Sequence, residues 1–213
     1  MYLNKRGKAP NQAHVGIPEG LCEDEHGRDG FAGPVSHLYR THPPTGWIKI
    51  DGPLKPRAFV CTQVPMTTTL SVSAQPVLMM QSRDVRLYVF SSAGTMPHFV
   101  RNADGDEVYF VHEGTGTFET DFGTLSYEPG DYVVIPKGTT YRTHVDAGPA
   151  LFLIVETSER IVVPDRGPLG QHALFDKGIL VAPELGLVES AEVEDREWEV
   201  HIKRQGETTR VVY

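Results

Sequence analysis

The chain has 213 residues, of which 39% are hydrophobic, enough for one large domain or two small ones. Its net charge of −8 comes with no basic stripe, and no apolar run approaches the length of a membrane span, which argues against nucleic-acid and membrane partners. The first residues lack an apolar signal region, and Cys22 and Cys61 are too few for a disulfide framework. We therefore expect a reduced, cytoplasmic setting in which both thiols are bystanders.

The N-terminal part shows no regular pattern, because Gly, Pro and charged residues are spread through residues 1–45. We predict an irregular N-terminal arm, followed by a strand that begins at Trp47. Three apolar runs then follow between residues 58 and 92: AFVCTQV, TTTLSVS and VRLYVFS. Each is rich in β-branched or aromatic residues, which predicts strands.

The densest strand signals lie between residues 107 and 157. EVYFVHEG alternates and ends at a glycine, GTFETDFGTLSY indicates a hairpin turning at residues 121–123, and DYVVIPKG and ALFLIVETS have the composition of buried strands. Helical periodicity is almost absent. Short strands separated by turn residues predict an all-β protein, with residues 46–160 forming an antiparallel β-barrel or jelly roll.

The C-terminal part, residues 161–213, is predicted to be a loop-rich connector followed by a hairpin. A short helix is expected near residues 171–175, and EWEVHIKRQGETTRVVY alternates with a turn at Gln205-Gly206. We interpret this hairpin as the first of a new sheet in a second β domain. The last strand has no stop signal and would leave an apolar edge, so we expect the natural chain to continue beyond Tyr213.

Two motifs in the barrel have the spacing of a cupin metal site. Five residues separate Gly94 from position 100, position 102 and Glu107 follow, and six residues separate Glu107 from Gly114. The second motif runs from Gly130 through Pro136-Lys137-Gly138 to position 141. Positions two apart on a strand share one face, so such spacing directs ligands into the barrel. The paired spacing predicts a cupin-type barrel.

The four ligand positions, however, carry Val100, Asn102, Glu107 and Tyr141. Valine offers no donor atom, and one carboxylate with a phenol does not make a site of two histidines and a carboxylate. We therefore predict no metal ligand and no catalytic residue in this chain, and a barrel interior filled with side chains. Asn102, Glu107 and Tyr141 remain candidates for binding a ligand at the barrel mouth.

Glu107 has two possible partners in the sequence. It could hold an ion together with His98 or His144, but we favour an ion pair with Arg101 or Arg142. The two histidines are then expected to be ordinary surface or hydrogen-bonded residues.

Three stretches resemble a known family. GFAGPVSHLYRTHPPT, RNADGDEVYFVHEGTGTFETDFGTLSYEPGDYVVIPKGTTYR and EVHIKRQGETTRVVY are similar, in order, to the N-terminal half of a homogentisate 1,2-dioxygenase. The resemblance runs from about Gly30 to Tyr213. It implies a two-part cupin protein in which two histidines and a glutamate of the C-terminal half hold Fe(II), while the N-terminal half keeps the barrel without the ligands.

The resemblance also implies an activity for the intact protein. Members of the family open the ring of homogentisate, a small aromatic dihydroxy acid, with O₂ to give maleylacetoacetate in tyrosine and phenylalanine catabolism. They assemble as homotrimers and hexamers. On this interpretation the 213-residue chain alone is inactive and carries no cofactor.

Two other functions stay open. A stand-alone, metal-free cupin could bind a small polar ligand at the barrel mouth near Asn102, Glu107 and Tyr141. A metal-free isomerase is a weaker alternative, and only Glu107 and Tyr141 could serve as its acid–base pair.

Overall fold

The computed structural model describes residues 4–29, 32–64, 75–163, 176–184 and 197–213. The chain divides into two compact units, one of Met1–Ala58 with Pro164–Asp176 and the other of Phe59–Val163 with Lys177–Tyr213. The described residues contain twelve strands, two short 3-10 turns at Cys61–Gln63 and Lys177–Ile179, and no α-helix, which confirms the all-β prediction. Among these same residues, no helix has the length and apolar character needed to cross a membrane.

The first unit contains a hairpin where we predicted an irregular arm. Strands β1 (Cys22–Asp29) and β2 (Ala32–Arg40) pair antiparallel, with Cys22 opposite Arg40. After its first residue β1 is almost entirely polar or charged, so it lacks the apolar alternation that marks a half-buried strand. Cross-strand ion pairs such as Arg40 with Asp24, 2.7 Å apart, accompany the pairing instead. The strand predicted from Trp47 is absent from residues 47–50.

The second unit is the barrel, which contains the other ten strands. They are β3 (Val77–Gln81), β4 (Val85–Thr95), β5 (Phe99–Asn102), β6 (Asp106–Glu113), β7 (Gly116–Thr120), β8 (Gly123–Tyr127), β9 (Tyr132–Ile135), β10 (Thr140–Thr157), β11 (Glu199–Arg204) and β12 (Glu207–Val212). The predicted hairpin turn near residues 121–123 is confirmed by β7 and β8, and the turn at Gln205-Gly206 by β11 and β12.

The long strand β10 curls the sheet into a barrel. Its first part, residues 140–145, lies between β5 and β7, and its second part, residues 149–157, lies between β4 and β6. An irregularity in register between His144 and Pro149 separates the two parts. A single strand is therefore the central strand in two sets of paired strands. The cupin-type barrel predicted from the motif spacing is confirmed.

Alternating side chains of these strands fill the barrel interior. On β6, Tyr109 and Val111 are buried, while the alternate residues Val108 and Phe110 are only partly so. The interior cluster consists of Phe90, Tyr109, Val111, Phe118, Tyr127, Val133, Ile135, Tyr141, Val145, Ala150, Phe152 and Ile154. The motif glycines serve the backbone: Gly114 has a φ of 92° and Gly138 a φ of 84°, values that favour glycine over residues with a side chain.

The C-terminal hairpin does not begin a new sheet, which corrects our prediction. Strand β11 pairs in parallel with β5, so that Val200 lies beside Phe99 and Lys203 beside Asn102. Asp104, in the turn after β5, accepts a hydrogen bond of 2.9 Å from the backbone nitrogen of Gly206. Alternation predicts that a segment is a strand but not which strand it joins, so this long-range pairing was missed.

The remaining strand predictions have mixed outcomes. VRLYVFS forms part of β4 as predicted. AFVCTQV is not a strand but includes a 3-10 turn, and its Phe59 and Val60 are exposed. TTTLSVS and the helix expected near residues 171–175 lie outside the described residues. Strand β3 was not predicted, because its run VLMMQ is short and does not alternate.

Candidate functional site

A cavity of about 390 Å³ lies inside the barrel, and we call it the central cavity. Its size falls in the range of small-molecule sites. The three predicted site residues, Asn102, Glu107 and Tyr141, all line it. The structure therefore brings together the residues that the motif spacing selected.

Glu107 lies at the end of a buried hydrogen-bond chain. The Tyr141 hydroxyl donates to Glu107 Oε2 at 2.8 Å, and the Tyr109 hydroxyl lies 2.5 Å from that of Tyr141. Burial raises the pKa of Glu107 above its ordinary value, against the opposing effect of the Tyr141 hydrogen bond. Burial likewise raises the pKa of both tyrosines well above the ordinary value, so each phenol remains a hydrogen-bond donor.

The raised pKa of Glu107 predicts a pH-dependent effect of Glu107→Gln. Below the ordinary pKa of 4.5 the carboxyl is protonated in both folded and unfolded chains. Above that value Glu107 ionises more readily in the unfolded wild-type chain than in the folded one, until the pH has passed the higher folded pKa. The wild type therefore loses stability relative to the variant as the pH rises. Urea unfolding from about pH 4 to about pH 8 should show the difference in unfolding free energy moving in favour of glutamine. A difference that stays constant across this range would contradict the assignment.

Asn102 is fully engaged in holding the structure. Its side-chain nitrogen donates to Glu156 Oε2 at 2.8 Å, and its oxygen accepts from the backbone nitrogens of Asp104 at 2.8 Å and Gly105 at 3.3 Å. The side chain therefore fixes the turn between β5 and β6 and orients Glu156. A ligand that forms a hydrogen bond with the Asn102 side chain would have to replace one of these bonds.

Two cations from distant strands converge on Glu156. This carboxylate is 2% exposed, and it accepts from Arg86 of β4 at 2.6 Å and from the ammonium of Lys203 on β11. Burial alone would raise the pKa of Glu156, but the hydrogen bonds from Lys203 and Arg86 outweigh burial and lower it. Lys203 also donates to the Tyr88 hydroxyl at 2.9 Å. The cluster holds one anion between two cations.

Lys203 lines the central cavity beside the cupin motif positions. The parallel pairing of β11 with β5 sets it next to Asn102, and its positive charge lowers the pKa of Glu107 in opposition to burial. The Lys203 ammonium thus contributes positive charge close to the positions where the motif spacing would place a metal ion. Together with the donor-poor set at the four motif positions, this arrangement does not fit an iron ion.

The Arg partners expected for Glu107 are found elsewhere. Arg101 donates to the Thr140 hydroxyl, with its Nε at 2.9 Å, and Arg142 Nε pairs with Glu119 at 2.7 Å. The prediction of a Glu107–Arg pair is therefore wrong. The partner of Glu107 is the Tyr141 hydroxyl and not a guanidinium.

His98 is a buried residue and not one of the surface, where we had expected it. It is 5% exposed, and its Nδ1 has no hydrogen-bond partner in the described parts of the chain. Its ring stacks on that of His201 with the centroids 3.7 Å apart. His201 Nε2 lies 2.6 Å from Glu199 Oε1, while its Nδ1 is buried and unpaired among the described residues. Both rings line the central cavity.

The sequence analysis missed His201, Lys203, Glu156 and Arg86. A partial signal was present, because His201 and Lys203 are two residues apart on a predicted strand and therefore share one face. Only the pairing with β5 shows that this face points into the barrel.

Comparison with known proteins gives consistent results. The family described as "Homogentisate 1,2-dioxygenase N-terminal" matches residues 53–209. A candidate dioxygenase of Saccharolobus solfataricus is 32% identical over 179 residues, covering 77% of this chain and 46% of that protein. A homogentisate 1,2-dioxygenase of Nitrobacter hamburgensis is 31% identical over 121 residues, covering 56% of this chain and 26% of that protein. The chain thus spans about half the length, or less, of these relatives.

A solved structure is also similar. It is a cupin-2 domain containing protein from Shewanella frigidimarina, with 24% identity, a TM-score of 0.35, and coverage of 39% of this chain and 79% of that protein. The family match extends over far more than half of the 213 residues. The chain therefore belongs to the homogentisate 1,2-dioxygenase N-terminal family.

Proposed function

We propose that this chain is the metal-free barrel of an Fe(II)-dependent dioxygenase that cleaves the ring of homogentisate, with iron held by a C-terminal half of the intact protein. The observation that carries the proposal is the set of residues at the four cupin positions, Val100, Asn102, Glu107 and Tyr141, in a chain of this family. The family supports a dioxygenase, and the substrate homogentisate is part of the proposal.

In this proposal the chain contributes structure rather than chemistry. The Glu156 cluster and the Tyr109–Tyr141–Glu107 hydrogen-bond chain stabilise a barrel that requires no ion. When bound in the other half, iron would supply the activation of O₂ and of the substrate. Assembly into trimers or hexamers remains a prediction from the resemblance.

The proposal predicts that the 213-residue chain does not consume oxygen. Purified chain supplied with Fe(II) and homogentisate should show oxygen uptake no greater than Fe(II) and homogentisate without protein, because the four cupin positions do not supply the ligands of a catalytic iron ion. An oxygen electrode gives the rate, with an intact family enzyme as the positive control. Turnover by the chain that is abolished by Glu107→Gln would contradict the proposal.

A second function is favoured by the central cavity. Its buried polar wall around Glu107 and Tyr141 suits a stand-alone cupin that binds a small polar ligand without a metal. NMR titration of the chain with homogentisate (2,5-dihydroxyphenylacetate) tests whether the central cavity binds such a ligand. Shifts at cavity residues that disappear in Tyr141→Phe but persist in Tyr132→Phe, an exposed tyrosine, would support binding.

One measurement separates the two functions. The mass of the natural polypeptide should be about twice that of this chain if the first is correct, as the 46% coverage of the Saccharolobus relative suggests. A natural polypeptide of 23.6 kDa would favour the stand-alone cupin.

A further inference from the structure

We infer that His98, His201 and Glu199 form a binding site for a divalent transition-metal ion at the edge of the central cavity. The three residues offer one ligand atom each, and these atoms lie within 4.8 Å of one another. This site is distinct from the four cupin positions. It would be an exception to our expectation that the chain carries no metal.

The donor set itself points to this class of ion. Two imidazoles and one carboxylate suit Zn²⁺, Co²⁺, Ni²⁺ and Fe²⁺ better than Ca²⁺ or Mg²⁺, which prefer oxygen ligands. The residues come from one strand, β11, and from the short segment before its partner, β5. His201 and Glu199 lie two apart on β11, and His98 immediately precedes β5, which pairs with β11. The backbone therefore holds all three close together without a bound ion.

Unused ligand atoms are the second observation. Nδ1 of His98 and Nδ1 of His201 are both buried without a hydrogen-bond partner among the described residues. Leaving a buried polar atom unpaired costs about 1–3 kcal/mol, so two such atoms in one place indicate a missing partner. A metal ion would satisfy lone pairs on both rings at once.

Glu199 is placed to serve the same site. Its Oε1 lies 2.6 Å from His201 Nε2, and its Oε2 pairs with Arg210 at 2.6 Å. A carboxylate in contact with a ligating imidazole either joins the coordination or fixes the ring's orientation, and both roles strengthen binding. Arg210 holds the carboxylate in place from the solvent side, where its side chain is 67% exposed.

Coordination requires one change of conformation. The two rings are stacked with an interplanar angle of 20°, whereas an ion shared by two imidazoles lies near the plane of each. At least one ring must therefore turn. His98 lies in the short segment between β4 and β5, so its ring can rotate without breaking a strand.

A second cluster supplies an internal comparison. His14, Glu23 and His37 of the other unit also offer ligand atoms within 4.8 Å. There, however, His14 is 65% exposed, and Glu23 Oε1 already lies 2.5 Å from His14 and 3.3 Å from His37. These side chains satisfy one another, so we do not assign them an ion.

Cobalt binding to the tag-free 213-residue chain tests the inference. Co²⁺ titration, followed by visible absorption and by isothermal calorimetry, should show saturable binding of one ion. His98→Asn and His201→Asn should each weaken binding at least about tenfold, and Glu199→Gln by about tenfold. His37→Ala and His112→Asn, which alters an exposed histidine of β6, should leave it unchanged.

Several outcomes would overturn the inference. They are no saturable binding to the wild type, binding that survives both His98→Asn and His201→Asn, or binding lost in His37→Ala. Circular dichroism and the thermal midpoint of each variant establish whether it is folded. Because His201 and Glu199 are less buried than His98, their variants keep the test decisive if His98→Asn does not fold.

Discussion

Replacing Lys203 by methionine is expected to lower the free energy of unfolding by about 3 kcal/mol. The change removes one of two cations from Glu156, a carboxylate that is 2% exposed, and breaking a buried ion pair typically costs about 3–5 kcal/mol. The lower end applies because Arg86 remains in contact with Glu156. Methionine keeps the length and apolar stem of the side chain. The loss of stability therefore measures the contribution of the ammonium charge and its hydrogen bonds.

Urea unfolding at neutral pH measures this effect, with Arg204→Met as the matched control. Arg204 is the next residue on β11, and it is exposed, so its replacement should change stability by less than about 0.5 kcal/mol. A double-mutant cycle with Glu156→Gln should give a coupling energy of at least about 1 kcal/mol. Equal effects of Lys203→Met and Arg204→Met, or zero coupling, would show that the pair does not stabilise the barrel.

The pair should also shape the acid sensitivity of the protein. Because the pKa of Glu156 is lowered in the folded state, its contribution is present above the ordinary value of 4.5 and is lost as the pH falls through the lower folded pKa. Lys203→Met removes part of that lowering. The variant should therefore lose less stability than the wild type over the same acid range.

Replacing Phe118 by alanine is expected to cost about 4 kcal/mol, within the usual range for a buried aromatic residue. Phe118 is 0% exposed, and its ring centroid lies 5.1 Å from that of Tyr109 and 5.3 Å from that of Tyr127. It fills the barrel interior between strands, so its removal leaves a cavity that the surrounding packed side chains cannot fill.

Phe122→Ala is the control for this prediction. The residue lies in the turn of the same hairpin and is 57% exposed, so its loss should cost no more than about 0.5 kcal/mol. Equilibrium unfolding in urea, with the slope compared between variants, gives both values. Similar destabilisation by the two replacements would mean that the interior of the barrel is not packed as described.

The barrel could be predicted from the sequence because its signals are local. Gly114 and Gly138 mark turns with positive φ, and the hairpin of β7 and β8 follows from alternation interrupted at residues 121–123. The positions that the motif directs inward, Asn102, Glu107 and Tyr141, do line one cavity. Residue spacing along strands was sufficient for these conclusions.

The cation cluster could not be predicted, because it depends on pairing between distant segments. Lys203 reaches Glu156 and Tyr88 only because β11 docks beside β5, and neither strand's pattern specifies its neighbour. His98 was misjudged for the same reason, since His201 covers it from that strand. The hairpin β1–β2 was missed because β1 carries charge instead of apolar alternation.

The late position of Lys203 has a consequence for synthesis on the ribosome. A nascent chain that has emerged as far as β10 already contains Glu156, Asn102 and Arg86. It still lacks the Lys203 ammonium and strand β11, which pairs with β5. Until that hairpin emerges, β5 presents an unpaired edge and the carboxylate lacks one of its two cations. The barrel can therefore finish folding only when translation has passed residue 203, so its maturation is timed by its last hairpin.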